Sequence, residues 1–389
     1  MSTDALLKRL LAGVERELPH AVELRHRLHS RPELAHAEHE TAKLIEGELP
    51  VACSAVAGTG RLALVGERGA APVAVRAELD GLPISEQTGA PFAATGEAMH
   101  ACGHDVHMAA LVALARAAHG LGDSLPIPLL AVFQPSEEAY PSGAELLAQA
   151  ELSDPAPRAI LAAHIHPELD WGTVALDEGA VNASCDEFEI VLDGVPSHGA
   201  YPHLGRDPIL ALADAVTAIN ARAARVIDPT QASSLSVGVL QGGSAANVIP
   251  GRALARGAIR AHRDEDRQTL RALVEEVVAG VAAAHGCQGT VRITAGEPPL
   301  VNDPRIVAAA RERLEAADLR LAPPWRSCGS DDFAFFAARA PIAMAFVGLR
   351  GAEGFLSRPL HHPELLAPDE AVGQVARTLA VLFCAACGV

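Results

Sequence analysis

The sequence lacks long apolar runs and an excess of positive charge. No uninterrupted apolar run reaches the eighteen or so residues that a membrane span needs, because Arg, Asp, Gly or Pro interrupts the Ala-rich segments. The 31 basic residues are outnumbered by 48 acidic ones, which gives a net charge of -17 with neutral histidine. Such an acidic surface repels phosphate backbones and anionic lipids. The sequence therefore predicts neither a nucleic-acid partner nor a membrane partner.

Cysteine is sparse and irregularly spaced. The seven cysteines are scattered and odd in number, which is not the pattern of a disulfide-rich secreted protein. Residues 1–18 interleave charge with leucine at helical spacing and contain no apolar core of the signal-peptide kind. We therefore expect a helix of the mature protein at this end and a cytoplasmic location.

With 389 residues and 49% hydrophobic composition, the chain can bury a full core and is expected to divide into two domains. From residue 72 to about 180, short apolar runs alternate with stretches of helical periodicity. This alternation is typical of βα units and predicts a mostly parallel sheet flanked by helices. The predicted strands are 73–75, 127–133 and 160–163, and the predicted helices are 105–119 and 142–149.

The pattern changes near residue 181, where half-buried strands alternate with helices in an inserted α+β domain. Its predicted strands are 188–192, 233–240, 255–261 and 290–294, and its predicted helices are 208–224 and 264–285. We therefore assign 1–180 and 296–389 to one domain and 181–295 to the insertion. The last part is predicted to hold a helix at 305–316, a helix after Ser330, a strand at 342–347 and a closing helix from Pro368.

Four apolar runs that are distant in the chain each precede residues that bind metals or move protons. Ligands of open α/β sheets gather outside the carboxyl ends of the strands, so these residues are expected to meet in space. They are Glu78 and Asp80 after the first run, Glu137 and Glu138 after the second, His164 after the third, and His361 and His362 after the run at 342–347.

The segment from Met99 to Met108 contains a compact set of donors. Cys102 and His104 flank Gly103, just before a helix that Asp105 is expected to cap. A thiolate and an imidazole are good zinc ligands. Two other interpretations stay open at this point: Cys102 is an inert buried thiol, or it is a nucleophile activated by His104 or His107.

The remaining candidates occur in adjacent or alternating pairs. Glu137 and Glu138 follow a strand that Pro135 ends, and neighbours in an extended turn point in different directions. One carboxylate is then available for a metal and the other as a base. His164 and His166 share one face of an extended segment, and His361 and His362 precede a proline. Either member of each histidine pair is a possible ligand.

Taken together, these segments resemble the metal-dependent amidohydrolases of the aminoacylase, hippurate hydrolase and carboxypeptidase G type, in the branch that includes plant auxin-conjugate hydrolases. The resemblance runs almost end to end and rests on nine words in the same order. They are RAELDGLPISE, MHACGHDVHM, FQPSEEA, AHIHPELDWG, GVPSHGAYPHLGRDPI, GGSAANVIPG, ARGAIR, GSDDFAFF and LHHP.

The resemblance implies a zinc-exopeptidase-like catalytic domain that holds two divalent ions per subunit, whether zinc, manganese or cobalt. Matched word by word, the metal ligands fall on Cys102, His104, Glu138, His164 and His361. The general base falls on Glu137, and Asp80 corresponds to a carboxylate that orients a ligand.

The same resemblance implies that the inserted domain is a lid that also forms a homodimer. His198 matches a lid histidine that often reaches the partner's active site, and Asn247 and Arg260 match groups that hold the substrate carboxylate. The implied substrates are N-acyl amino acids or related amides with a free carboxylate. Glu78, Asp331 and the loop from Ala139 to Gly143 depart from the common words, and the last of these stiffens a segment beside the Glu pair.

Two other functions remain for comparison. The first is a metal-independent cysteine hydrolase that uses Cys102, and the second is a non-catalytic dimer that binds a small molecule on the same fold. Sensitivity to chelators and to thiol alkylation separates the first from a two-metal enzyme. The retention of Glu137 and of all five matched ligand positions argues against the second.

Overall fold

The computed structural model describes residues 2–150 and 152–389. Its contacts divide the chain into two compact units. The larger unit comprises the residues up to Gly179 together with Val301–Trp325 and Asp332–Val389, and the smaller unit comprises Ala180–Leu300 and Arg326–Asp331.

The α-helices of the described residues range from short connectors to the long helix that opens the chain. They are α1 (Thr3–His29), α2 (His39–Glu48), α3 (His104–His119), α4 (Gly143–Gln149), α5 (Pro208–Val226), α6 (Asp264–His285), α7 (Pro304–Arg311) and α8 (Glu370–Cys387). Short 3-10 segments occur at Gly122–Ser124, Pro202–Leu204, Glu315–Ala317 and Asp332–Ala338.

The strands of the described residues are distributed over both units. They are β1 (Ser54–Val56), β2 (Gly60–Val65), β3 (Val73–Glu78), β4 (Leu129–Gln134), β5 (Ala159–Asp170), β6 (Thr173–Ala175), β7 (Gly179–Asn182), β8 (Asp186–Asp193), β9 (Ser197–His198), β10 (Ser233–Gly242), β11 (Val248–Ile249), β12 (Arg252–Ala261), β13 (Gln288–Ala295), β14 (Leu300–Asn302), β15 (Arg320–Leu321) and β16 (Ile342–Arg350).

The larger unit is built on an eight-stranded sheet in the order β1-β2-β4-β3-β5-β16-β6-β15. The four central strands, β4, β3, β5 and β16, run parallel to one another. Antiparallel pairs occur towards the edges, between β1 and β2, β2 and β4, and β16 and β6. The predicted α/β class with a mostly parallel sheet is therefore confirmed.

Helix α8 qualifies the expectation about apolar runs. It is the one helix among the described residues that is long and apolar enough to cross a membrane by length and composition alone, and 83% of it is buried inside the protein. It packs against α1, α3 and α7. Its Cys384 belongs to the main hydrophobic core, where burial raises the pKa of the thiol. The same apolar composition that suits a membrane here fills the centre of a large core.

Several predicted elements have different ends in the structure. The strand expected at 160–163 continues as β5 to Asp170, because β16 pairs with it along most of that length. The helix expected at 305–316 ends at Arg311, where bonds from Arg313 N to Ala310 O and from Leu314 N to Arg311 O tighten the chain. The helix expected after Ser330 is the 3-10 segment Asp332–Ala338.

The smaller unit contains the antiparallel sheet β10-β12-β8-β13. Alternate residues of β8 point into a core shared with α5 and α6. The predicted insertion, 181–295, is shorter than this unit, which extends to Leu300 and includes Arg326–Asp331. The contacts therefore group 296–300 and 326–331, which were predicted to belong to the other domain, with this smaller unit. For 326–331 the reason is that Ala183 N hydrogen-bonds to the carbonyls of Ser327 and Gly329.

A buried ion cluster is expected to stabilise the smaller unit. The fully buried Asp186 accepts hydrogen bonds from Arg267 Nε at 2.8 Å and Arg271 Nε at 2.6 Å. Burial disfavours its charge, but these bonds outweigh it and lower the pKa of Asp186 from its usual 3.8 to about 2. Asp186→Asn should therefore cost about 3 kcal/mol, because two arginines lose their counter-charge.

The pH dependence of unfolding checks this expectation. Because the folded pKa of Asp186 is depressed, its contribution is complete above about pH 4 and is lost as the pH falls towards 2. Asp193→Asn, which removes an exposed partner of Arg252, is the matched control and should change the free energy of unfolding much less, because solvent screens this pair. Equal losses in the two variants at pH 7 would contradict the assignment.

Candidate metal centre

The carboxyl ends of the central strands meet at one edge of the larger sheet. β3 ends at Glu78, and β4 ends at Gln134, two residues short of the Glu pair. β3 pairs with β5 only as far as Arg76 opposite Ala162, so His164 lies two residues beyond that pairing. Residues far apart in the sequence are thereby brought to one place, as the parallel arrangement predicts.

A glycine shapes the loop between Cys102 and His104. Gly103 has φ +85°, and a Cβ placed on it would lie 2.2 Å from Ile165 Cδ1. Only glycine combines this backbone conformation with such a close approach. Cys102 and His104 are consequently held against β5 at the start of α3.

Asp105 does not cap α3, contrary to expectation. The N-cap residue is Gly103, and no side chain caps this end. Asp105 instead accepts hydrogen bonds from Arg25 Nε at 3.0 Å and from His29 Nδ1 at 2.9 Å, both on α1. Burial opposes these contacts, but they raise the pKa of His29 to about 9. Asp105 therefore binds side chains of α1, which tertiary packing brings close, instead of the backbone of its own helix.

The five side chains matched to metal ligands come together. Cys102 Sγ lies 3.5 Å from His164 Nε2, and Glu138 Oε1 lies 3.3 Å from His361 Nε2. Glu138 Oε1 is also 4.0 Å from His104 Nε2. Ligand atoms of Cys102, Glu138 and His361 all lie within 4.8 Å of one another, and the same holds for His104, Glu137 and Glu138. Glu138 belongs to both groups.

Glu137 and Glu138 do not point apart as predicted. Glu137 Oε2 is 3.8 Å from His104 Nε2, so both carboxylates face the same imidazole. The segment after β4 is bent rather than extended, and Ser136 has φ +48°. The contacts of the two side chains nevertheless differ, because Glu138 Oε1 also lies 3.3 Å from His361 Nε2.

The loop after the Glu pair is anchored at Ser136. Its Oγ lies 2.9 Å from Ala139 O, and its N donates to Glu38 Oε1 at 2.7 Å. Glu38 is itself fully buried. These bonds support the expectation of a stiff loop, and Tyr140 is more than half exposed on it.

Backbone groups select which imidazole nitrogen is available to a metal. His104 Nδ1 donates to the carbonyl of Asp80 at 2.8 Å, and His164 Nδ1 donates to the carbonyl of Ile165 at 2.6 Å. In each ring, Nε2 is then the nitrogen whose lone pair is available to a metal ion. The Asp80 carboxylate is farther from His104, with Oδ1 at 3.6 Å, while its Oδ2 accepts from Glu138 N at 2.9 Å. Asp80 therefore contacts two of the candidate ligands.

The electrostatics of the site favour a positive charge. Burial alone lowers the pKa of His104, but the nearby Glu78 and Asp80 carboxylates outweigh burial and raise it to about 10. Burial keeps the pKa of His164 well below its usual value, which maintains a neutral imidazole. A cluster that stabilises positive charge beside a neutral imidazole suits a cation with nitrogen ligands.

Two orphaned atoms test whether the residues fit metal ions. In the part of the chain that the structure describes, His104 Nε2 and Glu138 Oε1 are buried and find no hydrogen-bond partner. Buried polar atoms are normally satisfied, so their shared orientation towards one place calls for a ligand. The sulfur, nitrogen and oxygen donors match borderline divalent ions such as zinc, cobalt and manganese. The residues present therefore fit the implied ions.

The structure also distinguishes the members of the two histidine pairs. His361 faces Glu138 and has φ +65°, a conformation that non-glycine residues adopt mainly at functional sites. His362 Nδ1 instead accepts from Glu364 N at 3.1 Å. His166 packs its ring on Trp325 at 4.5 Å. The geometry thus favours His361 and His164 as ligands.

The contacts of Cys102 weaken the cysteine-hydrolase interpretation. An imidazole nitrogen beside its sulfur belongs to His164, whereas the predicted activators were His104 and His107. His107 uses both ring nitrogens elsewhere, with Nδ1 at 2.9 Å from Glu78 Oε2 and Nε2 at 3.0 Å from Ile165 N. A buried thiol between three other donor groups is better placed as a ligand than as a nucleophile.

Sequence reasoning named Glu78 after the first apolar run and His107 as a possible activator of Cys102, but it assigned neither residue a role beside the matched metal ligands. Glu78 and His107 are buried, and their ligand atoms lie within 4.8 Å of those of His104 and His164. His107 lies one helical turn after His104, and Glu78 lies two residues before Asp80 on the same strand exit. These two spacings were the sequence features that linked Glu78 and His107 to the matched residues. They do not predict the hydrogen bond between His107 on α3 and Glu78 on β3, which are 29 residues apart.

The smaller unit holds the other three predicted residues. His198 on β9 pairs with Val248 on β11, and Gly199 N donates to Asn247 O at 2.8 Å, so His198 and Asn247 are neighbours. Arg260 lies on β12 and donates to Cys328 O at 3.1 Å.

Comparison with known proteins identifies the family. Residues 74–383 match the model of peptidase family M20/M25/M40. The chain belongs to this family. It is a metal-dependent hydrolase, as the sequence resemblance predicted.

Relatives of this M20 hydrolase are similar over nearly their whole length. The N-acetyl-L-cysteine deacetylase of Bacillus subtilis is 32% identical over 369 residues, which covers 93% of this chain and 86% of the relative. The N-acetyldiaminopimelate deacetylase of Anoxybacillus flavithermus is 32% identical over 359 residues, with coverage of 90% and 93%. The solved structure of the Bacillus subtilis YXEP protein, a dinuclear metal-binding peptidase of the M20 family, superposes with a TM-score of 0.83 at 30% identity and covers 95% of this chain and 98% of that chain.

Proposed function

We propose that this M20 hydrolase cleaves the amide bond of N-acyl amino acids. The convergence of Cys102, His104, Glu138, His164 and His361, with Glu137 beside them, carries the proposal. The similar proteins that deacetylate N-acetylcysteine and N-acetyldiaminopimelate support this substrate class. The resemblance to auxin-conjugate hydrolases adds indole-3-acetyl amino acids to the candidates.

The five side chains would hold two divalent ions, with zinc, manganese and cobalt all compatible. When bound, such ions polarise the scissile carbonyl and lower the pKa of water. Asp80 keeps His104 and the Glu138 backbone in place through its carbonyl and its carboxylate. Ile165 O orients His164 in the same way.

Glu137 serves as the general base in this proposal. Its carboxylate lies beside the donor cluster, 3.8 Å from His104 Nε2, and is only slightly exposed. It takes a proton from the attacking water and delivers it to the departing nitrogen, because an amide nitrogen leaves readily only when it is protonated. No covalent link between enzyme and substrate is required.

We further propose that three residues of the smaller unit contact the substrate. Arg260 offers parallel N–H donors and a permanent charge, which suit a carboxylate, and Asn247 adds a neutral donor. His198 donates to the oxyanion that develops on the carbonyl. The proposal includes a cytoplasmic homodimer, in which His198 serves either its own active site or the partner's.

A substrate screen tests the proposed reaction. The metal-loaded protein should hydrolyse N-acyl amino acids, and the matched N-acyl amines without a carboxylate should react at least about tenfold more slowly, because they lack the charged group that Arg260 binds. The acyl group and the amino-acid side chain are varied separately to define both pockets. The proposal would be refuted if a preparation with two ions per subunit hydrolysed none of these amides.

The contribution of Arg260 gives a separate prediction. Arg260→Ala should raise KM for N-acyl amino acids by about 10- to 100-fold, because a charge-assisted bond to the carboxylate is worth about 1.5–3 kcal/mol. KM for the corresponding amides should change little. Steady-state kinetics on matched acid and amide pairs measure both values, with Arg256→Ala on the same strand as the control. An equal rise for acids and amides would contradict carboxylate recognition.

A further inference from the structure

His107 is committed to two partners on two different elements. It lies on α3, one turn after His104, and is almost fully buried. Its Nε2 is 3.0 Å from the backbone N of Ile165, which can only donate, so Nε2 accepts. The ring hydrogen is therefore on Nδ1, which donates to Glu78 Oε2 at 2.9 Å. These partners assign a single neutral tautomer to His107.

The same Ile165 backbone orients His164. Ile165 N is bound by His107, and Ile165 O is bound by His164 Nδ1 at 2.6 Å. The rings of His107 and His164 also touch in a T-shaped contact with centroids 4.5 Å apart. β3 pairs with β5 only up to Ala162, so at this point a side chain of α3 holds the strand in the place of a neighbouring strand.

Glu78 is held from its other side. Arg76, whose side chain is fully buried, binds Glu78 Oε1 and also contacts Asp332 Oδ1 at 2.8 Å and Gln134 Oε1 at 2.8 Å. Gln134 Nε2 closes the network by donating to Asp332 Oδ2 at 2.7 Å. The Glu78 carboxylate is thereby fixed between Arg76 and His107, and it has little freedom to bind an ion directly.

We infer that Glu78 and His107 are positioning residues for the metal centre. Glu78 holds His107 in the Nδ1–H tautomer, and His107 holds the Ile165 backbone and packs on the imidazole of His164. This arrangement directs His164 Nε2 towards Cys102 Sγ, 3.5 Å away, where the two donors would hold an ion. The inference rests on the proposed role of His164 as a ligand.

The expected effect is a selective loss of metal affinity. Residues that orient a ligand typically account for about 10- to 100-fold in affinity for the ion. Glu78→Gln and His107→Phe should therefore weaken the binding of one ion by about that factor and leave the other within about threefold. Glu78→Asp keeps the charge but shortens the side chain, so its loss should be smaller than that of Glu78→Gln.

Two measurements on the full chain test the inference without an enzyme assay. Stepwise titration with zinc against a chromophoric chelator gives both dissociation constants, and the cobalt-loaded protein reports the Cys102 thiolate through its charge-transfer absorption. That absorption should shift in Glu78→Gln and His107→Phe. Nitrogen-15 NMR of the imidazoles should show, in the parent only, the Nδ1–H signal that disappears in His107→Phe.

Asn302→Ala is the matched control for loss of a buried polar group. Asn302 is buried and hydrogen-bonds to Asp177 O and to both backbone groups of Met344, and none of these is a candidate ligand. The Asn302→Ala substitution should lower the melting temperature and leave both zinc dissociation constants unchanged. If His107→Phe does not fold, Glu78→Gln and Glu78→Asp provide the same comparison.

Two results would overturn the inference. One is parental affinity for both ions in Glu78→Gln. The other is equal weakening of both ions in proportion to the loss of melting temperature. Failure of the substrate screen leaves these constants unaffected, so the two proposals fail separately.

Discussion

Glu137→Gln should lower kcat by about 10³-fold or more while leaving two ions per subunit. General base catalysis contributes about 10²- to 10⁴-fold, and glutamine cannot accept the proton. The carboxamide retains the size of the side chain beside His104, and Glu137 is not among the five matched ligands. Steady-state kinetics together with elemental analysis measure the two quantities on the same preparation.

The control for this variant is Glu168→Gln, which neutralises an exposed glutamate on β5 of the same unit. It should retain parental kcat. Activity of Glu137→Gln within tenfold of the parent would refute the assignment of the base. If the variant lost an ion as well as its activity, Glu137 would instead be a metal ligand. The short distance between Glu137 and His104 is the reason for measuring the metal content.

Removal of metal should abolish activity, and restoration should recover it. The proposed reaction needs the ions to polarise the carbonyl and acidify water, so chelation should reduce the rate by at least about 10³-fold. Zinc, manganese and cobalt are then added separately to the apoprotein. The recovered rate with each ion identifies the metals that support catalysis in this site.

Thiol alkylation provides the complementary arm. Cys102 is 7% exposed and would be bound to metal, so iodoacetamide should leave the metal-loaded enzyme active. Cys328 is exposed and serves as the internal control, because mass spectrometry should find it alkylated. An enzyme that survives chelation and is inactivated by iodoacetamide would instead be the cysteine hydrolase considered at first.

The strand ends explain why much of the site was predictable. β3 and β4 end shortly before Asp80 and Glu138, His164 lies within β5 beyond its pairing with β3, and His361 follows β16 after a loop of ten residues. Parallel pairing then brings the ends to one edge of the sheet whatever the lengths of the connections. The order of the nine sequence words supplied the choice among neighbouring histidines, and the contacts of His362 and His166 are compatible with that choice.

The predictions about the site that the structure contradicts have a common physical cause. Asp105 has the residue type and position of a helix cap, but Arg25 and His29 on α1 offered stronger charged partners. The bend at Ser136 turned Glu137 and Glu138 towards one imidazole, although an extended segment would have separated them. In each case a contact with a distant residue overrode a local preference.

The sequence by itself determined the fold class, the family and the residues available for chemistry, because hydrophobic periodicity and motif order are properties of the chain. Only the tertiary structure decided which nitrogen of each imidazole is free and which carboxylates share a neighbour. It also showed that Glu78 binds His107 and that His107 binds the Ile165 backbone next to His164. Those features depend on atoms brought within hydrogen-bond distance from separate elements, and no spacing along the chain records such distances.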